Sequence, residues 1–193
     1  MKVIETKGSG VDRRILMQAV EALRNGDIII YPTDTLYALG CDALNNRAIE
    51  RLCHIKGLNP DKNYLSAVFS DLSQVAEYAR IDNIAFRILK HYLPGPYTFI
   101  LPAATSLPKV FKGRKSIGVR IPDCEFARAL AEELGNPVLT SSVADSPADF
   151  GNQSEVVLAI DSGECVLGPS TVVDLIDSRS PVVVREGSGS FDF

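Results

Sequence analysis

The sequence has no apolar segment long enough to cross a bilayer and few residues that bind metals. No hydrophobic run approaches the ~20 residues that a membrane helix needs, and the amino terminus lacks the apolar core of a secretory signal. We therefore expect a cytoplasmic protein that does not bind membranes. The two histidines are far apart, and the cysteines lack the spacing of a zinc knuckle or a redox pair. We expect no structural metal and reduced thiols at Cys41, Cys53, Cys124 and Cys165.

The signatures of the two common nucleotide-binding folds are also missing. The sequence contains neither a Gly-Xaa-Gly-Xaa-Xaa-Gly element nor a Walker A motif, and it has no internal repeat or interdomain linker. Its 193 residues are 46% hydrophobic and 23% charged, which predicts one globular domain spanning residues 1–193. The formal net charge of −4 argues against a globally basic nucleic-acid binder, although it permits a local basic groove.

Short apolar strands alternate with amphipathic helices along the chain. The pattern predicts helices at about residues 11–25, 47–55, 71–79, 82–92, 126–134 and 154–160. It predicts strands at residues 27–31, 65–69, 97–101, 117–121, 138–141, 171–176 and 181–185. The last two strands should form an antiparallel pair, and the glycine-rich tail after Glu186 should fray. This arrangement indicates an α/β or α+β fold.

The most informative segment follows the first of these strands. A β-branched run stops at Pro32 and is followed by Thr33, Asp34, Thr35 and Tyr37. Polar groups at the mouth of an apolar strand commonly line a site, because burial without partners is costly. The segment predicts either a turn in which Asp34 caps backbone amides or a hydroxyl-lined pocket for a small amino acid. Tyr37 would form a wall of that pocket or pack in the core.

Cationic and hydroxyl side chains recur at the ends of later elements. Lys56 falls at a helix end, where a lysine commonly interacts with the final carbonyls. Arg120 interrupts an apolar strand, and a buried arginine needs an anionic partner from the protein or from a ligand. Arg185 follows another apolar strand and would pair with Glu186, with another acid or with a ligand.

Taken together, Lys56 and the segments 28–40, 118–122, 169–175 and 184–187 resemble the YrdC/YciO family, whose best-known members make threonylcarbamoyl-adenylate. The resemblance extends over roughly residues 11 to 190. It implies a YrdC-like twisted mixed β-sheet flanked by helices, with a large concave cavity on one side. It also implies ATP, L-threonine and bicarbonate as substrates, Mg²⁺ accompanying ATP, and a product used for threonylcarbamoyladenosine formation in tRNA.

The resemblance implies roles for individual residues. Thr33 and Thr35 would help to bind L-threonine, with Tyr37 as a wall of the pocket. Lys56 begins a Lys-Xaa-Arg signature that grips the ATP phosphates, so it would stabilise charge as the α-phosphorus is attacked. The other implied contacts are Arg120 with the threonine carboxylate or a nearby phosphate, Ser170 with substrate, and Arg185 with the nucleotide.

Two signature positions differ from the family pattern, and both differences resemble the YciO branch. Leu58 stands where the first signature has arginine, which removes a bidentate phosphate clamp. In the second signature, Ser-Xaa-Asn, the serine is Ser141, with Val143 replacing the asparagine, or it is Ser142 under a shift of one position. These serines are nucleotide ligands or strand-end caps. Lys62 either supplies the missing charge to the nucleotide or is a solvated loop lysine.

The alternative function is binding of double-stranded RNA or tRNA without efficient adenylate synthesis. A basic stretch, together with Lys56 and two nearby arginines, would form a cationic rim that contacts the RNA backbone. The stretch is also consistent with ordinary solvated charge, and the sequence has no RNA-binding motif with stacked aromatics. The residues concerned are Lys109, Lys112, Arg114 and Lys115, with Arg47 and Arg51.

Overall fold

The computed structural model describes residues 1–6, 10–58, 66–104, 115–143, 154–163 and 167–193. Its strands are β1 (Lys2–Glu5), β2 (Ile28–Tyr31), β3 (Ala38–Asp42), β4 (Ser66–Val68), β5 (Tyr97–Pro102), β6 (Ser116–Arg120), β7 (Val138–Ser142), β8 (Val156–Asp161), β9 (Thr171–Asp174) and β10 (Val182–Arg185). Its helices are α1 (Arg13–Arg24), α2 (Asn46–Lys56), α3 (Leu72–Tyr78), α4 (Asn83–Tyr92) and α5 (Glu125–Leu134).

All of these strands belong to one mixed sheet with the order β1-β8-β2-β3-β7-β4-β6-β5-β9-β10. The parallel neighbours are β1 with β8, β2 with β8, β4 with β6 and β5 with β9. The remaining neighbours are antiparallel, including the predicted pair of β9 and β10. The predicted α/β class, with a twisted mixed sheet flanked by helices, is therefore confirmed.

The sheet separates two hydrophobic cores, because neighbouring side chains along a strand point to opposite faces. On β2, Ile29 and Tyr31 pack with α1 and α5 on one face. Ile28 and Ile30 belong to the core on the other face, to which α2, α3 and α4 contribute. The helices therefore lie on both sides of the sheet. The polar side chains of the strands must face a part of the sheet that the helices do not cover.

Most of the helices begin at a polar side chain that the sequence places just before an apolar pattern. Asp12, Asn45, Asp71 and Asp82 each accept a hydrogen bond from a backbone N–H in the first turn of α1, α2, α3 and α4, respectively. Helix α2 ends at Gly57, whose φ of 61° lies in the left-handed region that favours glycine. Lys56 is therefore the last residue of α2.

The prediction of a helix at residues 154–160 is wrong, because this segment contains strand β8. Strand β8 lies between β1 and β2, and Val156, Leu158, Ala159 and Ile160 are all buried. A strand that is buried on both faces has a nearly continuous apolar sequence, which periodicity does not distinguish from a short helix. The sequence pattern also did not predict β1 or β3.

The prediction that the chain frays after Glu186 is also wrong. The backbone N–H of Ser188 donates to the carbonyl of Pro169 at 2.9 Å, and the Tyr97 hydroxyl donates to the Ser190 carbonyl at 2.7 Å. The ring centroid of Phe191 lies 4.8 Å from that of Tyr92. The tail is therefore a packed part of the fold.

Cys41 and Cys124 are free cysteines, and both Cys41 and Cys53 are buried. Cys165 lies outside the described residues. Within those residues, we find no helix with the length and apolar character required to traverse a membrane.

The packed tail makes a prediction about stability. Phe191→Ala should lower the free energy of unfolding by about 1–3 kcal/mol, less than for a fully buried ring because Phe191 is only partly buried. Phe193→Ala is the matched control, because Phe193 is 72% exposed and its loss should change stability by less than about 0.5 kcal/mol. Urea unfolding of both variants measures the difference, and equal midpoints would contradict the packing role of Phe191.

Candidate functional site

A cavity of about 490 Å³ lies over one face of β7, β4, β6, β5, β9 and β10. Helices α1 and α5 pack on this same face, but their contacts are with other parts of the sheet. Small and polar residues of the central strands line the cavity, and their neighbours in sequence pack in the core of the opposite face. The lining residues are Thr140, Ser66, Gly118 and Thr98, which alternate with Leu139, Ala67, Val119 and Phe99.

Lys56 reaches the cavity from the end of α2. Its Nζ donates a hydrogen bond to the backbone carbonyl of Ser142 at 2.9 Å. The contact joins two segments that are 86 residues apart in sequence, and it places the ammonium group at the end of β7. Within the described ranges, Lys56 has no carboxylate partner. Its positive charge is therefore not neutralised by the protein residues that the structure describes.

Arg120 lies on the floor of the cavity and has a protein carboxylate as its partner. Its Nη2 lies 3.0 Å from Oδ1 of Asp34 and donates to Oγ1 of Thr35 at 2.8 Å. The second oxygen of Asp34 accepts a hydrogen bond from the backbone N–H of Asp123 at 2.9 Å. Asp34 thus caps a backbone amide, as one of the two sequence interpretations predicts, and also neutralises Arg120.

Burial dominates the electrostatics of this ion pair. The side chains of Arg120 and Asp34 are 2% and 6% exposed. Burial raises the pKa of the Asp34 carboxyl, while Arg120 and the amide of Asp123 oppose the change. Burial also lowers the pKa of Arg120, which Asp34 offsets in part. The Nε of Arg120 is buried and has no hydrogen-bond partner among the described residues, so one donor on the cavity floor is unsatisfied.

Arg185 and Ser170 form the wall of the cavity at the β10 edge. The guanidinium of Arg185 donates to the backbone carbonyl of Ser170, at 2.7 Å from Nη2 and 3.3 Å from Nε. Nη2 also lies 3.2 Å from the Ser170 hydroxyl, which is paired with the Thr98 hydroxyl at 2.9 Å. The predicted alternative of a salt bridge with Glu186 is not found among the described ion pairs of the chain. Arg185 therefore keeps its positive charge beside the cavity.

The opposite end of the cavity combines hydroxyl groups with apolar side chains. Ser141 and Ser142 of β7 line it together with Leu58, which follows α2. Leu58 and Val143, which occupy the two altered signature positions, both pack against the core on the α2 side of the sheet. Further apolar lining comes from Ile100, Val172 and Val184. The cavity is therefore amphipathic, with cations near both ends.

Thr33, Thr35 and Tyr37 lie behind the cavity rather than on its described walls. The hydroxyls of Thr33 and Thr35 are 3.0 Å apart, and Thr35 contacts the cavity floor through Arg120. Tyr37 is fully buried, and its hydroxyl donates to the carbonyl of Gly163 at 2.6 Å. Thr35 thus supports Arg120 and Tyr37 packs in the core, and the contact of these residues with L-threonine stays a prediction.

Several predicted cations are not at the cavity or are not described. Lys62, Lys109, Lys112 and Arg114 lie outside the described residues. Arg51 faces away from the cavity, since it contacts Glu155 at 3.4 Å and the carbonyl of Gly26 at 3.2 Å. Arg51 therefore does not contribute to the predicted cationic rim, whereas Lys56 does lie at the cavity.

The described residues contain no group of three or more His, Cys, Asp or Glu side chains that could hold a metal ion. Asp34 is the carboxylate next to the cavity floor, and both of its oxygens already have partners. These residues do not fit a metal bound by the protein alone.

Sequence reasoning missed Thr98, Thr140 and Ser66 as cavity residues. Each is a small polar residue within a short strand, and the sequence places an apolar core residue beside it: Phe99, Leu139 and Ala67, respectively. The alternation was therefore visible in the sequence. What the sequence did not contain was the strand order, which brings β5, β7 and β4 together on one face.

The buried ion pair makes a pH-dependent prediction. Arg120→Leu should reduce stability at neutral pH by about 3–5 kcal/mol, because it leaves the Asp34 carboxylate buried without its partner. Loss of Arg120 also raises the pKa of Asp34 further in the folded state. The folded state then binds the Asp34 proton more tightly than the unfolded state, so the deficit is smallest near about pH 4 and grows as the pH rises through the folded-state pKa.

Urea unfolding between about pH 4 and about pH 8 measures this dependence. The double variant Arg120→Leu/Asp34→Asn is the control, because it removes the carboxyl group that titrates. Its deficit relative to the native protein should vary less with pH than that of the single variant. If the stability deficit of Arg120→Leu is the same throughout this pH range, Arg120 does not stabilise the Asp34 carboxylate.

Comparison with known proteins agrees with this architecture. The family model Sua5/YciO/YrdC, described as telomere recombination, matches residues 21–187. Escherichia coli YciO is 41% identical over 189 residues, which cover 92% of this chain and 91% of YciO. Its crystal structure matches with a TM-score of 0.90 and covers 98% of this chain and 97% of YciO, at 38% identity over the structural match.

Threonylcarbamoyl-AMP synthases are also similar to the chain. The Vibrio vulnificus synthase is 31% identical over 187 residues, which cover 89% of this chain and 98% of that protein. P. abyssi Sua5, solved in complex with L-threonine, matches with a TM-score of 0.87 and 29% identity. That match covers 97% of this chain and 58% of Sua5. The chain belongs to the Sua5/YciO/YrdC family.

Proposed function

We propose that the cavity binds ATP and L-threonine and that the protein is a threonylcarbamoyl-AMP synthase-like enzyme of the YciO branch. The observation that carries this proposal is the convergence of Lys56, Arg120 and Arg185, with Ser141, Ser142 and Ser170, on one cavity. These residues come from four distant parts of the sequence. Cations and hydroxyls that share a cavity are suited to an anionic ligand with several polar groups.

The spacing of the cations favours a ligand or ligand pair with separated negative charges. Lys56 lies at the β7 end of the cavity, Arg120 is on β6, and Arg185 is on β10. Five interstrand steps of about 4.8 Å separate β7 from β10, which corresponds to a span of roughly 24 Å along the sheet. ATP carries its charge on the phosphates, and L-threonine carries a carboxylate. Two such substrates can each engage a different part of the cavity.

The proposed chemistry requires orientation and positive charge rather than a side-chain nucleophile. The amino group of L-threonine forms a bond to the carbon of bicarbonate and water is lost, which gives a carbamate, and a carbamate oxygen attacks the α-phosphorus of ATP. A new phosphorus–oxygen bond forms as the bond between the α- and β-phosphates breaks, and pyrophosphate leaves with the electron pair. Lys56 would stabilise the developing phosphate charge, and Mg²⁺ would enter as part of the ATP substrate.

Arg120 lines the cavity, so its guanidinium would donate to a carboxylate or phosphate oxygen of a bound substrate. Because Asp34 already neutralises Arg120, the arginine would act as a directional donor rather than as an additional charge. Ser170, which lies close to Arg185, supplies a hydroxyl near the same ligand.

The product, threonylcarbamoyl-AMP, would be used for threonylcarbamoyladenosine formation in tRNA. We propose this place in tRNA modification by analogy with the synthases to which the chain is similar. Binding of RNA without synthesis is the alternative outcome of the test below. Of the predicted cationic rim, Arg51 pairs with Glu155 instead, and no contact in the described part of the chain favours RNA as the ligand.

Incubation with ATP, L-threonine, bicarbonate and Mg²⁺ should yield threonylcarbamoyl-AMP and pyrophosphate, measured by mass spectrometry and a pyrophosphate assay. Lys56→Met should lower kcat/KM by about 10- to 100-fold, because a charge-assisted contact with phosphate is lost. Lys90→Met, which removes a lysine on the exposed side of α4, is the charge-matched control. If the native protein forms no adenylate but binds RNA with a steep salt dependence, the alternative function replaces this one.

The altered signature position provides a gain-of-function test. Leu58 lines the cavity beside the Lys56 end and lacks the guanidinium that the family signature has there. Leu58→Arg should raise the rate of adenylate formation about tenfold or more if the missing phosphate clamp limits catalysis. Leu58→Gln is the control, because it removes the leucine and adds polarity without charge. Equal rates for the arginine and glutamine variants would show that charge at position 58 does not limit the reaction.

A further inference from the structure

We infer that the tail segment Gly187–Phe191, here called the strap, is a positioning element that fixes Ser170 and Arg185 in the cavity wall. This inference rests on the proposed function of the cavity as the ligand site. The strap begins two residues after Arg185 and runs along the segment that leads into β9.

Hydrogen bonds join the strap to the residues on both sides of Ser170. The Ser188 N–H donates to the carbonyl of Pro169 at 2.9 Å, and the Ser188 hydroxyl donates to the same oxygen at 3.2 Å. The hydroxyl of Thr171 donates to the Gly189 carbonyl at 2.6 Å and accepts from the Gly189 N–H at 3.1 Å. The backbone on each side of Ser170 is therefore fixed by the strap.

The two glycines of the strap are required by close contact. A Cβ atom at Gly187 would lie 2.3 Å from the Pro169 carbonyl oxygen and 2.5 Å from the carbonyl carbon of Ser170. A Cβ atom at Gly189 would lie 2.5 Å from ring atoms of Tyr97. Both distances are too short for a side chain, so the strap backbone lies directly against the Pro169–Ser170 backbone at Gly187 and against the Tyr97 ring at Gly189. The glycines that suggested fraying in the sequence are the residues that permit this packing.

Aromatic residues hold the far end of the strap. The Tyr97 hydroxyl donates to the Ser190 carbonyl at 2.7 Å. The ring of Phe191 lies 4.8 Å from that of Tyr92 and 6.2 Å from that of Phe99, measured between centroids. Tyr97 and Phe99 are residues of β5, whose Thr98 faces the cavity and contacts Ser170. The strap is thus anchored on the same strand that supplies part of the cavity floor.

The consequence for the cavity concerns Arg185. This arginine is solvent-exposed, and a long exposed side chain loses conformational freedom when it is held in one orientation. Its described hydrogen-bond acceptors are the carbonyl and hydroxyl of Ser170. By fixing Ser170, the strap keeps the guanidinium oriented before a ligand arrives, which improves binding by reducing the ordering cost.

The test compares two glycine-to-alanine substitutions close together in space. Gly187→Ala places a methyl group against the backbone of Pro169 and Ser170. Gly168→Ala is the matched control, because a Cβ atom there meets only the Ser188 hydroxyl at 3.7 Å, an ordinary contact. Tyr97→Phe, which removes the hydrogen bond to Ser190 and retains the ring, is a milder second variant in case Gly187→Ala does not fold.

Two measurements are made on each full-length variant. The first is the NMR signal of the Arg185 Nε–H group without ligand, including its rate of exchange with water. The second is the Kd for MgATP from calorimetry. In Gly187→Ala and Tyr97→Phe, the Arg185 signal should shift and exchange faster, and the Kd should rise, by about tenfold for Gly187→Ala. In Gly168→Ala, both should match the native protein.

The outcomes distinguish a failure of the inference about the strap from a failure of the proposed function. An unchanged Arg185 signal in the strap variants would overturn the inference, whether or not ATP binds. An Arg185 signal that shifts in the strap variants but not in Gly168→Ala supports the inference. A loss of stability alone does not produce that pattern. Failure of the native protein to bind ATP would contradict the proposed function, while the ligand-free Arg185 signal would still decide the role of the strap.

Discussion

The buried ion pair between Arg120 and Asp34 is the interaction on which the cavity depends. It joins β6, in the centre of the sheet, to the loop between β2 and β3, and the same carboxylate also accepts the amide of Asp123. A fully buried arginine at the end of an apolar strand would be very costly without this partner. Once paired, Arg120 places a guanidinium on a cavity floor whose other side chains are hydroxyl-bearing or apolar. The Thr33–Thr35 loop is therefore part of the site through Arg120, although it does not line the cavity.

The other two cations are held in a different way, which explains how an acidic protein can attract an anion. Lys56 and Arg185 are oriented by backbone carbonyls, those of Ser142 and Ser170, rather than by described carboxylates. A carbonyl fixes the position of a cation without cancelling its charge. The net charge of −4 therefore coexists with two cations at the cavity that have no carboxylate partner among the described residues. Of the three cations, the fully buried Arg120 is the one that the described ion pairs neutralise.

Local sequence predicted most elements and the presence of a site, but not the arrangement that creates it. Asp12, Asn45 and Asp82 signal helix starts because a cap acts over two or three residues. Strand β8 was misread as a helix because its burial on both faces removes the alternation that identifies a strand. The tail was misread because a glycine-rich sequence predicts mobility. The close packing that glycine also permits becomes visible only in the structure. Asp34 was recognised as a capping residue, but its pairing with Arg120 spans 86 residues and depends on the strand order.

The likeness of the fold to both YciO and Sua5 does not by itself decide between their properties, and the two residues that depart from the family signature, Leu58 and Val143, both lie near Lys56. The TM-scores of 0.90 and 0.87 reflect a shared sheet. The Arg120 and Arg185 side of the cavity retains its cations and hydroxyls, whereas Leu58 and Val143 pack against the core near Lys56. Two apolar side chains at the Lys56 end leave a single described cation there for the phosphates of the proposed substrate ATP. A change confined to this end can alter the rate of phosphoryl chemistry while the fold and the remaining ligand contacts stay the same.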